Sequence, residues 1–252
     1  MAITRSTTES ALTICFVVLF VSVLTAADTP PMDAQTYLNR GKLFLEKGQH
    51  ALAIPDFVKA LELDPNYAEA YSNLGNSYVA IDEYNRAISA YTRVIELEPM
   101  RAEAYNSRGF AYQNIGRGDD AIRDYNRAVE INPRNFAAYT NRAFLFMDRG
   151  DYDSAISDFT RVLEIFPKSA LMYNNRGVAY ASKGQYDMAI RDHSKALELE
   201  STYARAYVNR ASAFYHLREY DKAWLDVNSA QLLGQGIREE FLSELRRASG
   251  KK

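Results

Sequence analysis

Cysteine is almost missing: the 252-residue chain has one, Cys15. A single thiol closes no disulfide within the chain and builds no cysteine-based metal centre. Histidine is scarce as well. His50, His193 and His216 lie far apart and show no metal-ligand spacing. No Gly-rich phosphate loop, nucleophile elbow or HExxH run occurs. Net charge is −2, without a long run of either sign, so a basic footprint for nucleic acid is lacking too. These absences point away from an enzyme. They predict no cofactor, no metal, no nucleic-acid partner and no small-molecule substrate. Tryptophan is limited to Trp224, whereas tyrosine reaches 18, and the placement of those tyrosines carries the fold.

Long apolar runs are also lacking, except for Ala11 to Leu24. A polar start with Arg5 precedes that run, and the small residues Ala26 and Ala27 follow it. The order matches a secretory signal. Fourteen helical residues span about 21 Å, short of a hydrocarbon core of ~30 Å. Residues 1–27 therefore read as a cleaved signal peptide, and a secreted or periplasmic location is expected. The alternative is an uncleaved N-terminal membrane anchor. Residues 28–33, with Pro30 and Pro31, read as a short extended linker.

The rest of the chain repeats. Pro65, Pro99, Pro133 and Pro167 recur every 34 residues, which divides the sequence into units 34–67, 68–101, 102–135, 136–169, 170–203 and 204–237. Position four is Tyr37, Tyr71, Tyr105, Tyr139, Tyr173 and Tyr207. Position eight is Gly or Ala, position eleven is Phe or Tyr, and position twenty is always Ala. Position twenty-four is Phe57, Tyr91, Tyr125 and Phe159, then His193 and Val227. Positions four, eight and eleven share one face of a first helix; positions twenty, twenty-four and twenty-seven share one face of a second. Small residues let the two helices cross closely while the aromatic rings fill the space beside the crossing. Proline closes each unit, and Pro55 is expected near the start of a second helix, where a missing N–H costs little. Each helix is too short to stand alone, so stacking between units must supply the core.

This pattern resembles the tetratricopeptide-repeat (TPR) family. The resemblance implies an all-α, right-handed superhelix of six helix-turn-helix repeats. Residues 238–252 then supply a C-terminal capping helix and tail, with Ile237, Phe241, Leu242 and Leu245 on one stripe. A membrane-surface helix is the alternative, opposed by Glu239, Glu240 and Glu244.

Two rows of polar residues stand out. Arg occurs at position seven in five units, and the same five carry Asp at position twenty-three: Arg40 with Asp56, Arg108 with Asp124, Arg142 with Asp158, Arg176 with Asp192, Arg210 with Asp226. Unit 2 has Leu74 and Ala90 instead. Charges that appear and vanish together within a unit predict a structural salt bridge between its helices, against the alternative of an arginine row that binds acidic ligands.

The second row is Asn39, Asn73, Asn141, Asn175 and Asn209 at position six, with Ser107 in unit 3. Asn is a poor helix-interior residue, and its amide can pair with the N–H and C=O of an extended peptide. The row resembles the asparagine ladder in the peptide-binding superhelix of O-linked N-acetylglucosamine transferases, a likeness confined to the repeats. The other reading is a hydrogen bond between neighbouring repeats. In TPR superhelices the first helices line the concave face. There, Phe110, Phe144 and Val178 at position nine would give an apolar floor, or else ordinary packing, and Tyr215 is a further aromatic on that face. TPR modules that clamp acidic chaperone C-termini use basic residues where Leu38 and Ser72 stand, so that function is not expected.

The chain is therefore expected to be a non-catalytic scaffold holding a protein or peptide partner along its concave groove. The alternatives are a self-associating structural subunit, or a membrane-tethered assembly factor if the N-terminal segment stays attached.

Overall fold

The computed structural model describes residues 32–250. The expected signal segment, with Cys15, and most of the linker lie outside the described residues. Those described form thirteen α-helices and no strand. They are α1 (Ala34–Glu46), α2 (His50–Leu63), α3 (Ala68–Ala80), α4 (Tyr84–Leu97), α5 (Ala102–Asn114), α6 (Gly118–Ile131), α7 (Phe136–Asp148), α8 (Tyr152–Ile165), α9 (Ala170–Ser182), α10 (Tyr186–Leu199), α11 (Ala204–His216), α12 (Tyr220–Leu232) and α13 (Glu239–Ser249). No described helix is long and apolar enough to cross a membrane.

Each 34-residue unit is one antiparallel helix pair, and each second helix packs on the first helix of the next unit. First helices of most successive units also approach one another, more closely than second helices do. The stack therefore curves as a solenoid, with α1, α3, α5, α7, α9 and α11 on its inner side.

The crossing within each pair depends on position eight. A methyl group added to Gly41, Gly75, Gly109 or Gly177 would stand 2.5 to 2.8 Å from the ring at position twenty-four of the same unit. The rings at position twenty-four, Phe57, Tyr91, Tyr125, Phe159 and His193, are buried, as is every alanine at position twenty. Between the helices the chain turns through a left-handed residue at position fifteen. Gly48, Gly116, Gly150 and Gly184 have φ between 68° and 77°, where glycine pays no steric cost. Asp82 and Arg218 hold the same turn at φ 60° and 63°.

Pro55 departs from expectation. It is the sixth residue of α2, inside the helix, past the four N–H groups that lack helical partners. The carbonyl of Ala51 therefore loses its N–H donor. Both residues are exposed, so water can satisfy that carbonyl.

The C-terminal stripe closes the stack. Leu242 and Leu245 are buried against Ala211, Ala223 and Val227, with Ile237 and Phe241 beside them. Trp224 Nε1 donates to Ser249 Oγ at 3.0 Å. Gly250, left-handed at φ 67°, terminates α13.

Candidate partner-binding face

The arginines of the row are engaged within the fold. In units 3 to 6 each guanidinium makes a two-pronged contact with the carboxylate of its own unit, at 2.7 or 2.8 Å per bond. Arg40 Nε reaches Asp56 Oδ2 at 2.7 Å, with a second contact from Nη2 to Oδ1. The aspartates are buried. Hydrogen bonding to them holds the pKa of Arg108, Arg176 and Arg210 above the usual arginine value. Aromatic rings at positions four and eleven flank the guanidinium, as Tyr139 and Phe146 do for Arg142, at 5.5 and 5.9 Å.

A third contact ties four of the five arginines to the preceding unit. The Nη1 atoms of Arg108, Arg142, Arg176 and Arg210 donate to Thr92, Asn126, Thr160 and Ser194, all at position twenty-five, at 2.5 to 3.1 Å. Unit 1 has Val58 at that position, and the unit after it has Leu74 in place of arginine. The polar acceptor and the arginine are thus absent at the same joint. Every arginine in the row is engaged with protein partners.

The asparagine row divides. Asn141 Nδ2 donates to Asn106 Oδ1 at 3.1 Å, and Asn209 Nδ2 to Asn174 Oδ1 at 2.9 Å. Both bonds join position six of one unit to position five of the unit before. Asn106 and Asn174 are partners that the position-six pattern does not disclose; their signal is asparagine at position five in alternate units, 3 and 5. Asn39 Oδ1 accepts from Gln35 within α1. The half-buried amides of Asn73 and Asn175 have no hydrogen-bond partner among the described residues.

The apolar floor divides as well. Phe110 and Phe144 are 38% and 42% exposed, and Phe144 meets buried Phe159 edge-on at 5.6 Å. Val178 is half-buried. Tyr215 must be reassigned. Its ring lies 5.7 Å from Phe241 of α13 and 5.9 Å from Tyr220, so it belongs to the packing of the cap rather than to an open groove.

One cleft on the inner side gathers several of these groups. It has a volume of about 410 Å3 and lies among α3, α5 and α7, lined by Asn76, Val79, Asn106, Ser107, Phe110 and Asn141. The phenol of Tyr91 forms its floor and donates to Asn76 Oδ1 at 2.7 Å. Burial pushes the Tyr91 pKa up to about 12, so the phenol stays neutral near pH 7. The cleft therefore offers amides, two hydroxyls and one exposed aromatic face, without a charged group. That set suits an uncharged backbone better than an ionic ligand. Among the described residues no cluster of His, Cys, Asp or Glu could hold a metal ion.

Models of the repeat itself match residues 41–82 and 75–116 (TPR repeat), and 102–135, 136–169 and 170–203 (Tetratricopeptide repeat). The chain belongs to the tetratricopeptide-repeat family. The last three TPR matches coincide with the units read from the proline period. Unit 6 lies outside these matches, yet it keeps the TPR helix pair and its Arg210–Asp226 bridge.

Two solved structures resemble the chain at 28–31% identity. MamA is 31% identical, covers 68% of this chain and 94% of its own, and superposes with a TM-score of 0.63. YrrB, described as a TPR protein with an unusual peptide-binding site, is 28% identical, with coverages of 69% and 90% and a TM-score of 0.59. The C-terminal part of a TPR repeat-containing protein from Cytophaga hutchinsonii has a TM-score of 0.71 at 18% identity, over 78% of each chain; that likeness shows the fold alone. No curated protein matches.

Proposed function

We propose that this TPR solenoid is a scaffold without catalytic chemistry that holds an extended segment of a protein partner along its inner face. The observation that carries the reading is the uncharged cleft among α3, α5 and α7, where exposed Phe110 sits beside Asn76, Ser107 and the Asn106–Asn141 pair. Amides supply donors and acceptors for a peptide backbone, and the aromatic face selects an apolar side chain. Phe144 continues that surface one unit on. The unpaired amides of Asn73 and Asn175 extend the polar row in both directions. YrrB, similar over most of its own length, is described as a peptide binder.

The test is co-purification of a partner with the tagged full-length protein. Phe110→Ala/Phe144→Ala should cut recovery by at least about tenfold, as expected when anchoring aromatics are lost, while the melting temperature stays close to the parent's. Undiminished recovery would move the contact off the inner face. Asn73→Ala/Asn175→Ala is the cleaner amide probe, because Asn141 and Asn209 also join neighbouring units.

The same proposal places the scaffold outside the cytoplasm, supported by the apolar run from Ala11 to Leu24 and the small residues after it. The intact mass of the native protein should show a start at or near Ala27 or Asp28. A mass that retains Met1 to Ala27 would support the membrane-tethered form instead.

A further inference from the structure

Unit 4 breaks the repeat pattern at one edge of the solenoid. Position one is alanine in the other five units and Phe136 here; position thirty-one is Asp64, Glu98, Asn132 and Glu200 in units 1, 2, 3 and 5, and Phe166 here. The two rings meet edge-on at 4.8 Å, and each is nearly half exposed. With Val162, Ile165 and Met172 they border a cleft of about 570 Å3 where the loop from unit 4 to unit 5 emerges. This cleft shares no lining residue with the inner one.

The substitution has a local cost. Asp64 and Asn132 use their side chains to accept the backbone N–H of Asn66 and Arg134, each at 3.0 Å. Phe166 forfeits that turn bond and gains an exposed ring. The edge contact with Phe136 offsets part of that loss yet leaves nearly half of each ring exposed, and a local rule broken at such a position is what functional sites show.

It also removes a negative charge beside a cation. Units 1, 2 and 5 carry an acid at position thirty-one, whereas Lys168 is the sole charged residue that lines the unit 4 cleft. Lys168 has no ion-pair partner among the described residues, nor does Arg134, which holds the same loop position one unit earlier. Nearby acids are engaged: Glu164 with Arg161 at 2.8 Å and Glu130 with Arg127 at 3.1 Å.

We propose that this notch is a second docking site, for an acidic peptide segment bearing one bulky apolar side chain. The apolar side chain enters between Phe136 and Phe166, and a flanking carboxylate meets Lys168. The complementarity is specific to unit 4, because only there does an aromatic pair stand beside an unopposed cation.

The experiment screens random short peptides displayed on phage against the full-length protein, then measures the affinity of selected synthetic peptides by fluorescence polarisation. Enriched sequences should place Phe, Leu or Trp next to Asp or Glu, and bind more weakly as salt rises. Phe166→Glu and Lys168→Glu should each weaken that binding at least about tenfold, while Phe110→Ala leaves it unchanged. Phe166→Glu installs the residue that units 2 and 5 already carry, and Lys168→Glu changes an exposed side chain, so both keep the fold. No acidic-apolar enrichment would overturn the proposal, as would affinity unmoved by both edge variants or lost with Phe110→Ala. Sedimentation supplies a further arm: self-association abolished by Phe166→Glu would make a second copy of this chain the occupant, and would equally overturn it.

Discussion

Arg142→Leu should lower the unfolding free energy by about 3–5 kcal/mol, and adding Asp158→Ala should restore most of the loss. The arginine side chain is 15% exposed and Asp158 is buried. Removing the guanidinium alone leaves a buried carboxylate without its two-pronged partner, which is the costly outcome. Removing both charges reproduces a joint the molecule already uses, since Leu74 and Ala90 occupy these positions in unit 2 and are buried there. Asn126→Val completes the copy, because Val58 precedes that joint. Arg40→Leu should cost less, since Arg40 is 49% exposed and no earlier unit covers it; water can reach Asp56 once the arginine is gone. Urea unfolding of the single, double and triple variants checks all of this. A double variant no more stable than Arg142→Leu would contradict the pairing.

His193→Phe should stabilise the protein, and by more at acidic pH. His193 is fully buried at the position that Phe57 and Phe159 hold in other units, and neither ring nitrogen has a hydrogen-bond partner. Orphaned buried polar groups cost about 1–3 kcal/mol. Phenylalanine removes both, and its fit has a precedent in Phe57 against Gly41, the same contact His193 makes with Gly177. Burial, with Arg210 nearby, lowers the His193 pKa from 6.5 to about 4. The unfolded chain therefore takes up this proton first as pH falls. The imidazole's contribution is fully present above pH 6.5 and is lost progressively down to about pH 4, a swing of about 3 kcal/mol. Chemical denaturation of both proteins from pH 7.5 to 4 should show their stabilities diverging below pH 6.5. A gap that stays constant with pH would mean that His193 does not titrate in this window.

The 34-residue period was enough to read the helix pairs, because an alanine and an aromatic at fixed positions leave few ways to cross two helices. The intra-unit Arg–Asp contact was legible for a different reason: unit 2 lacks both charges, and a pair that vanishes together marks a contact. Its third partner was hidden. Position twenty-five alternates among Thr, Asn and Ser, which share an acceptor oxygen but no residue type, so periodicity in identity does not register it. The amide row was harder for the same reason. Five asparagines share one position, yet Asn141 and Asn209 bond to position five of the preceding unit while Asn73 and Asn175 do not, and only three-dimensional register separates these cases. Tyr215 misled because helical position alone places it on the inner side; the ring's neighbour Phe241 comes from α13, beyond the repeats. The Phe136–Phe166 notch was readable in principle, as two departures from the repeat in one unit. Their meeting required the loop geometry.

The inner face is the centre of this account, and site-specific photo-crosslinking in the native host tests it most directly. A photoreactive residue is placed at Phe110 or Phe144 on the inner side, or at exposed Lys59 of α2. The first two positions should capture the same partner, and Lys59 should capture none of it. Capture through Lys59 alone would put the partner on the outer surface and contradict the inner-face assignment.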